Sequence, residues 1–199
     1  MSGTGQLPEL ESLRSQLADV ARELAERDRT LLERATHRDR ERQDLREQSA
    51  QLLTIAQRTA AKTGDDFLTE LVNQLTTTLS VRYAVIGHIA DSPVTIMRTI
   101  AVSSGGTLVD NFEHPLEQTP CETALTEGSA CFAHGVQRAF PRFTLLTELG
   151  IDSYCGVSIR NNEGAVIGLL AVMDTKPLHN TEWLQSVLTV FAARAGAEL

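Results

Sequence analysis

Thr119-Pro120-Cys121-Glu122 is the densest knot of chemistry-bearing residues in the chain. Thr at an N-cap, Pro at the first helical position and Glu at the third complete a capping box, which satisfies orphan N–H groups at a helix start. That reading leaves Cys121 open. It sits in the first turn, where the helix dipole favours a thiolate, so a packing role, a ligand contact and a reactive thiol all remain candidates. The other two cysteines, Cys131 and Cys155, fall on predicted strands, where a free thiol acts as a small apolar filler. Three cysteines without a CxxC pair suggest neither a disulfide framework nor a zinc site, so reduced thiols are expected. The five histidines show no HExxH pattern. His114 and His134 can approach a pocket and hold a haem or a metal, or simply be solvated. No GxGxxG, P-loop or Gly-x-Ser-x-Gly elbow is present. Phe112, Phe132, Phe140, Phe143 and Tyr154 either line an apolar pocket or fill a core.

These residues need a scaffold, and the sequence has two grammars. Residues 10–62 contain no Gly or Pro and are rich in Glu, Arg, Gln, Ala and Leu, which predicts one helix. With Leu10 at heptad position a, the seam reads Leu13, Leu17, Val20, Leu24 and Leu31, and resumes at Leu45, Leu52 and Ile55. Arg27, Arg34, Arg38, Glu41 and Gln48 interrupt it. A helix of about 50 residues reaches roughly 75 Å at 1.5 Å per residue. A domain of this size cannot cover such a stripe, so a homodimeric coiled coil through residues 10–60 is expected; a solvated, partnerless helix is the alternative. A parallel pair would set the two following domains side by side.

Gly64 ends this segment, and a second helix over 65–80 places Phe67, Leu68, Leu71, Val72, Leu75 and Leu79 on one face. The period then changes. Runs at 83–90 and 94–102 flank Asp91-Ser92-Pro93, a hairpin signal. A short helix, a small strand at 130–133 and another short helix at 142–149 follow. Strands at 153–159 and 166–173 form a second hairpin, and a last helix spans 181–197, capped by Asn180 or Thr181. The run at 166–173 is apolar on both faces and must be central. Helices cover one side of it; loops and short helices roof the other, where a pocket can form.

The bulk numbers narrow the function classes. Apolar residues at 42% and charged ones at 22% fit an ordered globular chain. A net charge of −8 disfavours nucleic acid as a partner, since phosphate binding needs a basic stripe. Met1-Ser2-Gly3-Thr4-Gly5 is no secretory leader and no run approaches the roughly 20 apolar residues of a membrane span, so a cytoplasmic protein without membrane partners is expected.

Thr119-Pro120-Cys121-Glu122, Phe140-Pro141, Ser153-Tyr154-Cys155-Gly156-Val157, the stretch from Gly164 through Gly168-Leu169-Leu170-Ala171-Val172-Met173-Asp174, and Phe191-Ala192-Ala193-Arg194-Ala195-Gly196-Ala197-Glu198-Leu199 occur in an order that resembles GAF domains of bacterial sensor proteins, the subset with a TPCE motif. The resemblance covers about two thirds of the chain. It implies an α+β fold: an antiparallel sheet with the first and last helices on one face and a ligand pocket on the other. The domains are then a helical arm at 1–63 and a sensor at 64–199. It also implies a ligand site drawn from Tyr83, His114, Thr119, Cys121, Glu122, Phe132, Phe140, Tyr154 and Met173, with no catalytic or metal-ligating residue and the cofactor unassigned. Four positions depart from the family pattern: His114 for Tyr, Gln118 for Gly, Phe143 for Asp and Ser158 for Pro.

Such domains usually precede histidine kinase, diguanylate cyclase or transcription-activator outputs. None lies within these residues, so the expectation is either a piece of a longer sensor or a short regulator acting through a partner. The expected function is non-catalytic signal transduction, in which a small ligand biases the helices that flank the sheet. The alternatives are a dimerisation scaffold with a collapsed pocket, motivated by the bulk of Phe143 and His114, and a free methionine-(R)-sulfoxide reductase. Cysteine spacing suggests the last; the lack of a cysteine on the strand before Cys121 argues against it.

Overall fold

The computed structural model describes residues 6–89 and 95–199, with side chains from Leu13 onward except Ala18. The Leu10 side chain, the N-terminal Met1-Ser2-Gly3-Thr4-Gly5 and the turn Asp91-Ser92-Pro93 lie outside the described residues. The chain divides into two compact units after Ala50.

The first unit is helix α1, which spans Gln6–Thr59 and continues into the second unit. Its composition explains its length: Pro8 sits in the first turn, where its missing N–H costs nothing, no Gly or Pro follows, and Arg29–Glu33 and His37–Glu41 pairs one turn apart add surface support. The heptad seam from Leu13 to Leu45 lies open; Leu17, for example, is 69% exposed. The seam does not persist to its predicted end. Ile55 is fully buried and Leu52 half-buried against the core of the second unit, so these two positions are taken by the chain itself.

The second unit adds α2 (Gly64–Thr78), α3 (Pro120–Glu127), α4 (Val136–Ala139), α5 (Thr144–Glu148) and α6 (Thr181–Glu198) around seven strands: β1 (Tyr83–Ile89), β2 (Ile96–Ser104), β3 (Thr107–Val109), β4 (Glu113–Pro115), β5 (Ser129–Phe132), β6 (Ser153–Arg160) and β7 (Val166–Asp174). The order is β3-β2-β1-β7-β6-β5, every pairing antiparallel, with β4 also against β2. β7 is central as its apolar run requires: Leu169, Leu170, Ala171 and Val172 are all fully buried. The two-residue period of the strands sorts side chains into two cores. Ile86, Cys155, Val157, Leu170 and Val172 meet α2, α6 and the end of α1, whereas Val85, Tyr154, Leu169 and Ala171 face α3, α4 and α5. This is the expected division into a helix face and a pocket face.

Helix α6 begins at Asn180, whose side-chain oxygen accepts from the Trp183 N–H, and sits on β6 at very short range. A Cβ at Gly196 would run into the carbonyl oxygen of Arg160, so the two backbones touch where a side chain would hold them apart. The far end of α6 grips the α1–α2 junction. Glu198 Oε2 accepts from Gly64 N at 2.7 Å, Arg194 donates to Lys62 O at 2.8 Å, and the Arg194 guanidinium lies 4.2 Å from the Phe67 ring centroid. α1 ends at Thr59, short of residue 62, and Gly64 opens α2, where the sequence suggested that it closed the preceding helix.

The expectation of reduced cysteines is corrected. Cys131 and Cys155 form a disulfide, with Cα atoms 4.0 Å apart. The β5–β6 register sets them directly opposite each other, with Phe132 against Tyr154 as the next pair. Counting cysteines could not reveal this, because the pairing depends on α4 and α5 carrying the chain out and back over 24 residues.

Candidate functional site

The TPCE segment folds as its local chemistry dictates. Thr119 caps α3: its hydroxyl accepts from Glu122 N at 3.2 Å and donates to Leu116 O at 2.6 Å. The Glu122 carboxylate reaches back to Gln118 N at 2.8 Å, one residue earlier than the capping-box expectation. Gln118 holds φ +57°, a left-handed conformation in which glycine is the unstrained residue.

Beneath this cap lies a hollow on the pocket face. Its floor is Tyr83, Val85, Tyr154 and Met173 from the strands, and its roof includes Cys121, His114 and Phe143. The free volume is only about 30 Å³, little more than one water needs. Tyr154 makes this possible. Its ring lies over Gly156, where a Cβ would strike the hydroxyl, and the fully buried Tyr154 hydroxyl donates to Cys121 Sγ at 3.6 Å.

Burial decides the character of Cys121. Burial pushes its thiol up to about 12, against smaller opposing effects of the Tyr154 hydrogen bond and its own backbone N–H. The helix-start thiolate therefore does not form. Tyr154 is likewise held well above its ordinary value, by burial first and then by the charge Cys121 would carry. Both groups stay neutral and packed.

His114 is the polar member of the roof. It is 7% exposed, donates from Nδ1–H to Pro115 O at 2.8 Å, and stands 4.9 Å ring to ring from Phe143. Burial lowers its pKa, the Pro115 carbonyl opposing. His114 and Phe143 also line an open cleft outside, with Glu113, Glu117, Arg142 and Glu148 at its rim. The two rings thus form a plug between the cleft and the hollow.

Of the nine residues the sequence assigned to the site, Tyr83, His114, Cys121, Tyr154 and Met173 line the hollow. Thr119 lines the outer cleft, and exposed Glu122 a different groove beside β4. Phe132 and Phe140 do not reach the hollow; they meet edge to face at 5.2 Å beside it. His134, the other histidine the sequence offered for a haem or a metal, is exposed and does not line it. Val85, Met97, Val102 and Leu146 were missed, although Val85 follows Tyr83 by two residues and strand alternation alone would have found it. Among the described residues, no three His, Cys, Asp or Glu side chains cluster as metal ligands would.

A family model described as the GAF domain matches residues 63–199. This chain belongs to the GAF domain family. Members of that family are in general signalling and sensor modules and commonly sit in proteins with kinase or cyclase outputs. The GAF domain of an Acinetobacter phosphoenolpyruvate-protein phosphotransferase is similar in structure, with 19% identity, TM-score 0.57, and coverage of 75% of this chain and 90% of that one. The A. aeolicus nlh2 GAF domain in an inactive state gives 16%, 0.59, 76% and 94%. The free methionine-R-sulfoxide reductase from Neisseria meningitidis, in complex with its substrate, gives 16%, 0.57, 73% and 87%. At these identities the likeness shows the fold alone. A comparison with curated protein sequences found no match. No helix among the described residues is long and apolar enough to cross a membrane.

Proposed function

We propose that this GAF domain is a non-catalytic cytoplasmic sensor that works as a homodimer and relays a pocket event through its flanking helices to a histidine kinase, diguanylate cyclase or transcription-activator output. The observation that carries this reading is that β6 and β7 serve both faces at once. Tyr154, Leu169 and Ala171 face the pocket core, while Cys155, Leu170 and Val172, their chain neighbours, seat the helices. Widening the hollow displaces strands on which α6 rests, and α6 holds the α1–α2 junction through Arg194 and Glu198. A ligand acts here only by preferring the widened state. The neutral Cys121 thiol supports a regulatory role over a reductase one, because a thiol near 12 supplies no nucleophile at neutral pH.

The dimer rests on the open apolar seam from Leu13 to Leu45, for which a second copy of the same helix is the fitting partner. Leu17→Glu with Leu24→Glu should convert a dimer to a monomer in analytical ultracentrifugation; a wild-type monomer at micromolar concentration would refute it. For the sensor, thermal shifts against cyclic nucleotides, haem, bilins and small acids should reveal a binder by mass action. Its binding should alter hydrogen exchange at 59–68 and 194–198.

A second reading has its own support. The filled hollow and the His114–Phe143 plug favour a scaffold whose pocket has closed for good. It predicts a flat thermal-shift response to every compound, in the wild type and in Phe143→Ala alike.

A further inference from the structure

We infer that Cys131 and Cys155 form a reversible oxidation site, a dithiol that peroxides convert to the disulfide, and that α6 reads its state through Gln185. This goes beyond the ligand reading and rests on that proposal for the cytoplasmic setting and for the helix that carries the output.

Position makes the site reachable. β5 is the last strand of its side of the sheet, so Cys131 is half-buried at an open edge, whereas Cys155 is fully buried one strand inward. The two stand opposite each other in register, with Cα atoms 4.0 Å apart. No rearrangement of the ladder is needed to join or part them. Cys121 takes no part, being bonded to Tyr154 on the opposite face. In a cytoplasmic protein, as proposed above, disulfides are usually transient and redox-sensing rather than structural.

The chemistry closes with one co-reactant. Cys131, as the accessible thiol, attacks the O–O bond of a peroxide and becomes a sulfenic acid, with one oxygen leaving as water or, for an organic peroxide, as the alcohol. The Cys155 thiol then attacks that sulfur, the S–S bond forms and the sulfenic oxygen departs as water. Two thiols lose two electrons and two protons, and the peroxide gains them. A small or protein dithiol reverses the step by exchange, becoming a disulfide itself.

Gln185 gives the state a reader. Its Nε2 donates to Ser129 Oγ at 2.9 Å, which turns its Oε1 toward Cys131 Sγ, 3.9 Å away. In the disulfide this sulfur carries no proton and cannot donate. Reduction restores an S–H at hydrogen-bonding range of that oxygen, so a contact between sheet and α6 exists in one redox form and not in the other. The same helix ends in Arg194 and Glu198 at the α1–α2 junction.

The test uses the full chain without any ligand, so its outcome is separate from that of the sensor reading. Dithiothreitol-reduced protein, denatured and alkylated with iodoacetamide, should carry label on all three cysteines. After hydrogen peroxide it should carry label on Cys121 alone, with a cross-linked peptide joining Cys131 to Cys155, and dithiothreitol should restore the full label in the folded protein. A folded chain that resists dithiothreitol, or peroxide that leaves Cys131 and Cys155 unlinked, would overturn the site. Hydrogen exchange across 182–189 should differ between the two forms, and that difference should be lost in Gln185→Leu. Equal exchange in both forms of the wild type would overturn the reading by α6. Cys131→Ser should hold 182–189 in one exchange state under both conditions; were it not to fold, the wild-type comparison decides alone.

Discussion

The two faces of the sheet are made from alternate residues of the same strands, yet they are finished differently. The helix face is closed with large aliphatic and aromatic groups in full contact: Phe67, Leu68, Leu71 and Leu75 from α2 and Leu188 from α6 are buried to within a percent. Each such side chain contributes about 1.5–3 kcal/mol. The pocket face is closed with rings, sulfur and a histidine, and several of its members, Tyr83, Phe143 and Met173 among them, are only half-buried. The first face holds the fold together, and the second leaves room to change. The proposed relay would use that asymmetry, with a deformation accepted on one side and passed to the other.

The largest expected effect tests the rigid side. Phe67→Ala should cost about 3–5 kcal/mol in urea unfolding, since it empties a core site and removes the ring under Arg194. A loss below ~1 kcal/mol would mean that the helix face is as adaptable as the other. On the pocket side, Thr119→Ala should cost only about 1 kcal/mol, the worth of one N-cap, as read from the same denaturation curves. Gln118→Gly should act in the opposite direction and stabilise by about 1 kcal/mol, by relieving the left-handed residue before the cap. A destabilised glycine variant would show that the Gln118 side chain matters more than its backbone.

The smallest effect concerns pH. His114 has a folded pKa below its ordinary 6.5, so the unfolded chain binds its proton first. Stability is unaffected above pH 6.5, falls as pH drops below it, and stops falling from this cause once pH passes the lowered folded value. The groups around it are Phe112 and Phe143, with Glu113, Glu117, Arg142 and Glu148 along the cleft. These groups are common to both proteins, so the difference in thermal midpoint between the wild type and His114→Phe isolates the histidine. That difference should widen in favour of the variant between pH 7 and pH 5, and a constant gap would remove the argument.

How legible this was in the sequence follows from which interactions are local. α1, α2 and α6 are written in helical periodicity, and β7 in an unbroken apolar run, so each was found within a few residues. The TPCE cap was readable because its donors and acceptors lie within four positions. β3 and β4 were not, being three residues long and mostly exposed. The Cys131–Cys155 bond was invisible for a different reason: register between β5 and β6 is set by the intervening helices and leaves no local mark. Phe132 and Phe140 show the limit of composition. Alternation puts Phe132 on the pocket face, but β5 lies at the margin of the sheet, so its ring packs beside the hollow instead of into it.

One small residue sets how closely the last helix meets the sheet. With nothing but hydrogen at position 196, the last helix lies directly on the carbonyl of Arg160 and has no cushion of side chains in which to slip. In the relay proposed above, a push on the sixth strand would pass directly to the helix end that carries Arg194 and Glu198. The molecule is geared there, and a methyl group in that seat would act as a clutch.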